Sequence, residues 1–128
     1  MTAGPILPRA FVVEDDHLIA DVFAIALEQV GYISVKITSG FEAIQRLKIE
    51  VPDLIVLDIH MPFVSGIDVL SFIQSEERLK DVPVVVITAD ALAAQRLRGR
   101  VEYVFVKPVG FYQLRALGEK LKASKSLS

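Results

Sequence analysis

Short apolar runs rich in valine and isoleucine alternate along the chain with longer segments in which apolar residues recur every three or four positions. The runs fall at about residues 10–13, 33–37, 54–57, 84–87 and 103–106. Such runs are typical of buried parallel strands, and the segments between them are typical of amphipathic helices. The pattern therefore predicts an α/β protein: a parallel sheet of five strands with helices on both faces.

Residues that favour helix ends mark several boundaries of the predicted helices. Asp15 or Asp16 can cap the first helix, Ser39 stands where the second begins, and the third begins near Ser65. The fourth helical segment, residues 91–98, is a good helix former but barely two turns long. We therefore expect the fourth helix to be short or irregular.

Composition narrows the class of protein. The chain has 128 residues, of which 52% are apolar and 23% charged, which fits one globular domain. The formal net charge of −2 argues against direct binding of nucleic acid. Cysteine is absent, which excludes disulfides and zinc-thiolate sites. Neither a secretory signal nor an apolar run of membrane-spanning length is recognisable, so a cytoplasmic protein without membrane contact is expected.

Polar residues of chemical interest follow four of the predicted strands. They are Glu14-Asp15-Asp16 after the first strand, Asp58 after the third, Thr88 after the fourth and Lys107 after the fifth. The carboxyl ends of parallel strands share one edge of the sheet, where ligands of such sheets bind. We therefore expect these side chains to meet in one crevice.

Carboxylates, a hydroxyl and an ammonium together suit a magnesium and phosphoryl-transfer site. Oxygen ligands are those that Mg²⁺ prefers, and neighbouring carboxylates repel each other until a cation binds. Asp58 could then attack phosphorus and form an aspartyl phosphate, while Lys107 and Thr88 contact the phosphoryl oxygens. Taken singly, each residue has an ordinary structural explanation, such as a helix cap, a strand residue or a solvated loop residue.

From about Arg9 to Leu121 the chain resembles the receiver domains of two-component response regulators. The matching elements are Val12-Val13-Glu14-Asp15-Asp16, Asp58 followed by Met61-Pro62 and Gly66, residues 83–89, and Val106-Lys107-Pro108. The resemblance implies a flavodoxin-like doubly wound sheet with strand order 2-1-3-4-5. On this basis residues 9–123 are expected to form the receiver domain, between an N-terminal extension, 1–8, and a C-terminal tail, 124–128.

The resemblance also implies roles for the polar residues. Asp58 would accept a phosphoryl group from a phosphohistidine on a sensor histidine kinase or a phosphotransfer protein. Glu14 and Asp15 would form the acidic pair, and the Mg²⁺ ligands would come from Asp15, Asp58 and the backbone carbonyl of His60, with Asp16 as a further contributor. Thr88 would be the switch hydroxyl, Lys107 the phosphoryl counter-ion, and the peptide bond before Pro108 would be cis.

Two features depart from the family pattern. Receivers commonly carry an aromatic residue three positions before the lysine, where this chain has Val104. If the strand alternates faces, Tyr103 and Phe105 point away from the side of Val104 and cannot replace that aromatic ring. The stretch between Thr88 and Lys107 is also shorter than usual, which again indicates a reduced fourth helix.

The resemblance implies a signalling phosphoacceptor that catalyses only its own phosphorylation and dephosphorylation. An unidentified downstream protein is the implied output partner, and a homodimer is one of the assemblies that the resemblance allows. One alternative is a phosphohydrolase of the haloacid-dehalogenase type, although such enzymes carry a second Asp where this chain has His60. Another is a receiver-like interaction module that does not signal by phosphate. The resemblance further implies that His60, two positions after Asp58, influences the access of hydrolytic water to the phosphoryl group.

Overall fold

The computed structural model describes residues 7–126, and the side chains of residues 7–122. Five parallel strands form one sheet in the order β2-β1-β3-β4-β5. The strands are β1 (Arg9–Val13), β2 (Ile33–Ile37), β3 (Leu54–Asp58), β4 (Val84–Thr88) and β5 (Tyr103–Val106). Both the α/β class and the strand order predicted from the sequence are confirmed.

Helices connect the strands and cover both faces of the sheet. They are α1 (His17–Glu28), α2 (Gly40–Leu47), α3 (Gly66–Ser75), α4 (Ala91–Leu97) and α5 (Phe111–Ser126), with a short 3-10 turn at Glu77–Leu79. Residues of α1 and α5 pack on one face, and residues of α2, α3 and α4 pack on the other. At seven residues, α4 is as short as its sequence predicts.

Side chains of β5, at the edge of the sheet, divide between the two cores because successive residues of a strand point to opposite faces. Val104 packs into the core beneath α2, α3 and α4, whereas Tyr103 and Phe105 pack against the core beneath α1 and α5. The alternation expected for β5 is therefore confirmed, and neither aromatic ring takes the side of Val104.

Capping side chains begin the helices. Asp16 Oδ1 accepts hydrogen bonds from the N–H groups of Leu18 and Ile19, so Asp16 caps α1. Ser39 caps α2, and Ser65 forms a reciprocal capping box with Asp68 at the start of α3. These local bonds satisfy N–H groups that the first helical turn leaves without partners.

The ends of the chain differ in how far they are described. Residues 1–6 of the expected N-terminal extension lie outside the described residues, and the carbonyl of Pro8 accepts a hydrogen bond from the N–H of Ile33 beside β2. Helix α5 continues to Ser126, past residue 124 where the sequence suggested the tail would begin. Residues 127–128 of that tail lie outside the described residues. No helix within residues 7–126 is long and apolar enough to cross a membrane.

Candidate functional site

The predicted polar residues gather at the carboxyl edge of the sheet. Asp58 ends the central strand β3, Glu14 directly follows β1, and Thr88 ends β4. All three side chains are buried, with only 1% of Glu14 and 3% of Asp58 exposed. Buried charged groups are costly unless they are paired or hydrogen-bonded, so their partners decide what the site can do.

Lys107 reaches this cluster from the end of β5. Its Nζ lies 3.4 Å from Asp58 Oδ1 and 3.1 Å from Glu14 Oε1. The contact with Asp58 matches the pairing suggested by the sequence, whereas the contact with Glu14 was not predicted. One ammonium therefore serves two buried carboxyl groups. The Lys107–Pro108 peptide bond is cis, in agreement with the resemblance.

Carboxyl oxygens from Glu14, Asp15 and Asp58 lie within 4.8 Å of one another, close enough to share one metal ion. Asp15 is partly exposed, so the group opens toward solvent on its side. Asp16, which the resemblance offered as a further contributor, instead turns its carboxylate to the start of α1. The acidic cluster within the described residues thus contains three of the four acidic residues that the sequence singled out.

The electrostatics of the cluster favour binding of a cation. Burial, together with a hydrogen bond to Asp58 and the charge of that neighbour, raises the pKa of Glu14 to about 8. Glu14 Oε2 is buried and has no hydrogen-bond partner in the structure. Burial alone would lower the pKa of Lys107, but its contacts with Glu14 and Asp58 outweigh this effect and raise it above its ordinary value. The cluster therefore contains more carboxyl groups than the single ammonium of Lys107 can neutralise.

The residues that follow β3 fix the position of Asp58. The N–H of His60 donates to Asp58 Oδ1 at 3.3 Å. Gly66 begins α3 so close to the strand that an added Cβ would lie 2.2 Å from the Asp58 carbonyl oxygen and 2.6 Å from Ile59 Cα. Only glycine fits this approach of helix to strand, and this explains the glycine eight residues after Asp58.

Thr88 and His60 form a contact that the sequence did not reveal. His60 Nε2 lies 2.9 Å from Thr88 Oγ1, and the N–H of Asp90 donates to the same hydroxyl at 3.1 Å. The sequence placed His60 at the rim of the site and valued its backbone carbonyl. Its position two residues after Asp58 was the only signal, and this does not specify which way an imidazole turns.

Comparison with known proteins assigns the chain to a family. The family described as "Response regulator receiver domain" matches residues 10–118. The polar-differentiation response regulator DivK of Brucella ovis is 36% identical over 101 residues, which cover 77% of this chain and 82% of that protein. These matches cover most of both chains and therefore carry the family assignment.

Solved structures show the same architecture. The bacteriophytochrome response regulator AtBRR is 26% identical with a TM-score of 0.75, covering 91% of this chain and 95% of that one. The receiver domain of a sensor histidine kinase from Pseudomonas aeruginosa PAO1, whose structure has a magnesium ion coordinated in its active-site cleft, is 22% identical with a TM-score of 0.81. It covers 92% of this chain and 99% of that chain, and its likeness concerns the fold. The chain belongs to the receiver domains of two-component response regulators.

Proposed function

We propose that Asp58 is the phosphoacceptor of this receiver domain and takes its phosphoryl group from a phosphohistidine of a sensor histidine kinase or phosphotransfer protein in the cytoplasm. The phosphorylated domain, residues 9–123, then regulates a downstream protein. The observation that carries the proposal is the surrounding of Asp58: its carboxylate ends the central strand within 3.4 Å of Lys107 and beside two further acids. The domain catalyses only its own phosphorylation and dephosphorylation.

Asp58 is better suited to act as the nucleophile than its acidic neighbours Glu14 and Asp15 are. A carboxyl group attacks phosphorus as the carboxylate, and the raised pKa of Glu14 keeps that group largely protonated near neutral pH when no metal is bound. Asp15 lies at the open side of the cluster, where it is suited to ligate an ion. Asp58 Oδ1 is held by Lys107 and the His60 N–H, which orients the carboxylate.

Mg²⁺ is the proposed cofactor, and the residues present fit it. Three carboxyl groups converge, and the buried Glu14 Oε2 has no partner, as expected of a site that a hard cation completes. Asp15, Asp58 and the backbone carbonyl of His60 would hold the ion, with Glu14 as part of the acidic pair. When bound, Mg²⁺ supplies positive charge that offsets the negative charge of the incoming phosphoryl group.

The transfer itself needs few protein groups. An oxygen of Asp58 forms a bond to phosphorus as the bond from phosphorus to the donor imidazole nitrogen breaks, and that nitrogen keeps the electron pair. Lys107 can then donate from its ammonium to a phosphoryl oxygen, since the negative charge of Asp58 now lies on the phosphoryl group. Thr88, buried at the end of the next strand, can offer its hydroxyl to another phosphoryl oxygen. These new contacts favour the phosphorylated conformation.

An apolar surface beside the site suits a protein donor. Leu18, at the start of α1, is 78% exposed, and it borders a groove of about 470 Å³ that is also lined by Val22, Lys107 and Pro108. Exposed apolar groups next to a reactive centre are a common mark of protein contact. We assign this surface to the phosphodonor protein, because a donor histidine has to approach Asp58 at this edge.

Mass spectrometry of the intact protein tests the proposal. Incubation with Mg²⁺ and acetyl phosphate should add the mass of one phosphoryl group, and chelation of Mg²⁺ should prevent the addition. Asp58→Asn should abolish it, whereas Asp21→Asn, which removes an exposed carboxylate paired with Lys36, should not. An unchanged gain in Asp58→Asn, or no gain in folded wild-type protein, would contradict the proposal.

A further inference from the structure

His60 connects the end of β3 to the end of β4 through two different groups. Its backbone N–H donates to Asp58 Oδ1 at 3.3 Å, and its imidazole Nε2 lies 2.9 Å from Thr88 Oγ1. Thr88 is fully buried, whereas His60 belongs to the exposed residues. A single surface residue thus contacts both the proposed phosphoacceptor and the proposed switch hydroxyl.

The hydroxyl of Thr88 has little bonding capacity to spare in this arrangement. It has one proton to donate and two lone pairs, and the N–H of Asp90 already occupies one lone pair at 3.1 Å. His60 takes either the proton or the other lone pair, depending on its tautomer. If the imidazole accepts the proton, Thr88 cannot donate to a phosphoryl oxygen until this bond is broken.

The same hydroxyl is connected to α4. Asp90, whose N–H donates to Thr88, caps α4 by accepting hydrogen bonds from the N–H groups of Leu92 and Ala93 at 2.9 and 3.2 Å. A displacement of Thr88 therefore removes a bond that fixes the residue at the helix start. Since α4 has only seven residues, its first turn is a large part of the helix.

We propose that the His60 side chain is a positioning residue that holds the Thr88 hydroxyl in its resting position, so that phosphorylation must exchange the His60–Thr88 bond for a phosphoryl–Thr88 bond. This inference rests on the proposed function of Asp58. The bond opposes switching, and its strength sets the share of phosphorylated molecules that rearrange Thr88 and α4.

The surroundings leave room for the imidazole to move. His60 borders a groove of about 380 Å³ between α3 and α4, lined also by Ile67, Ala93 and Arg96, into which the ring can turn once Thr88 leaves. Val104, packed in the core beneath α4, is aliphatic and cannot accept a hydrogen bond from Thr88. Among the described residues, the hydrogen bonds of the Thr88 hydroxyl are those with His60 and Asp90.

NMR of the backbone amides at 90–93, recorded with and without acetyl phosphate and Mg²⁺, tests the inference. Intact mass gives the phosphorylated fraction of each sample, so conformational change is compared at equal phosphorylation. In His60→Ala, the ratio of switched to resting molecules should rise about three- to tenfold, as expected for loss of one ordinary hydrogen bond. His60→Gln, whose amide can still bond to a hydroxyl, should restore part of the wild-type ratio.

Two comparisons separate this mechanism from others. In a Thr88→Val background, His60→Ala should add no change, because the hydroxyl that it holds is gone. His17→Ala, which removes the other histidine of the chain at the exposed start of α1, should behave as wild type. A wild-type ratio in His60→Ala would overturn the inference, and so would an equal effect of His60→Ala in the wild-type and Thr88→Val backgrounds. Phosphorylation of Asp58 would stand in both cases. Absence of any phosphoryl mass in wild-type protein would overturn both.

Discussion

Lys107 Nζ lies closer to Glu14 Oε1, at 3.1 Å, than to the acid that we propose as the phosphoacceptor. Glu14 is therefore more than a member of the acidic cluster, since its carboxyl group contacts the ammonium of Lys107. Burial raises the pKa of Glu14 to about 8, although the nearby ammonium of Lys107 acts in the opposite direction. The protonation of Glu14 is consequently coupled to the stability of the fold.

The first prediction concerns pH. In the unfolded chain Glu14 loses its proton near pH 4.5, whereas in the folded chain it keeps the proton until about pH 8. The folded state therefore binds more protons between these values, and rising pH lowers the free energy of unfolding by at most about 1.4 kcal/mol per pH unit. Urea unfolding at several pH values with a chelator present measures this slope.

Glu14→Gln provides the control, because the amide does not titrate. The difference in unfolding free energy between wild type and this variant should shift against wild type as pH rises from 4.5 to 8. Parallel curves for the two proteins across that range would show that Glu14 binds the same number of protons in the folded and unfolded states, and would contradict the raised pKa.

The second prediction concerns the glycine beneath Asp58. A Cβ at Gly66 would lie 2.2 Å from the Asp58 carbonyl oxygen, which is backbone and cannot turn aside. Gly66→Ala should lower the free energy of unfolding by about 1–3 kcal/mol and slow phosphorylation by acetyl phosphate, because helix and strand must separate. Gly99→Ala is the matched control, since its Cβ would meet nothing closer than the Arg96 carbonyl oxygen at 3.8 Å. Equal unfolding midpoints for the two variants would refute the steric argument.

The third prediction concerns Phe63, in the loop between β3 and α3. Its φ is +65°, in the left-handed region that costs a residue with a Cβ roughly 1–2 kcal/mol, and its ring is fully exposed. Phe63→Gly should relieve this strain and, after the added freedom of the unfolded chain is subtracted, raise the free energy of unfolding by up to about 1 kcal/mol. Phe63→Ala keeps the Cβ and should show no such gain. Denaturant midpoints of the two variants decide the matter, and a gain in the alanine variant alone would count against strain.

The fourth prediction concerns the phosphodonor surface. Leu18→Ser should slow phosphoryl transfer from a phosphohistidine protein about fivefold or more, while leaving phosphorylation by acetyl phosphate unchanged, because only the protein donor uses the apolar contact. Leu92→Ser is closely matched: Leu92 is also the second residue of its helix, also donates its N–H to a capping Asp, and is 65% exposed. Rapid-quench measurements with both donors test this. Similar slowing in both variants would argue against a surface specific to α1.

Much of the fold follows from patterns that one sequence contains. The runs before Asp58 and Thr88 are apolar throughout because their strands are covered on both faces, and their short length and their valine and isoleucine content distinguish them from helices. The meeting of Glu14, Asp58 and Lys107 could be predicted because parallel strands end at one edge. These predictions depend on periodicity and topology, which a sequence records directly.

Other features depend on the path of single loops and on side-chain rotamers. The turn of the His60 ring toward Thr88 and the backbone of Phe63 leave no periodic mark in the sequence. Asp15 and Asp16 could both cap a helix or ligate a metal, and only the structure shows that Asp16 caps α1 while Asp15 joins the acidic cluster. Adjacent residues of one type thus take different roles according to backbone direction.

The central position of β3 limits how a new charge on Asp58 can be accommodated. The strand is hydrogen-bonded to β1 on one side and β4 on the other, and all five of its residues are buried. Sliding or tilting β3 would disrupt two ladders and both hydrophobic layers at once. The loops that follow the strands at the carboxyl edge are therefore freer to move than the strands themselves. A partner that distinguishes the phosphorylated from the unphosphorylated protein has to contact those loops rather than the sheet.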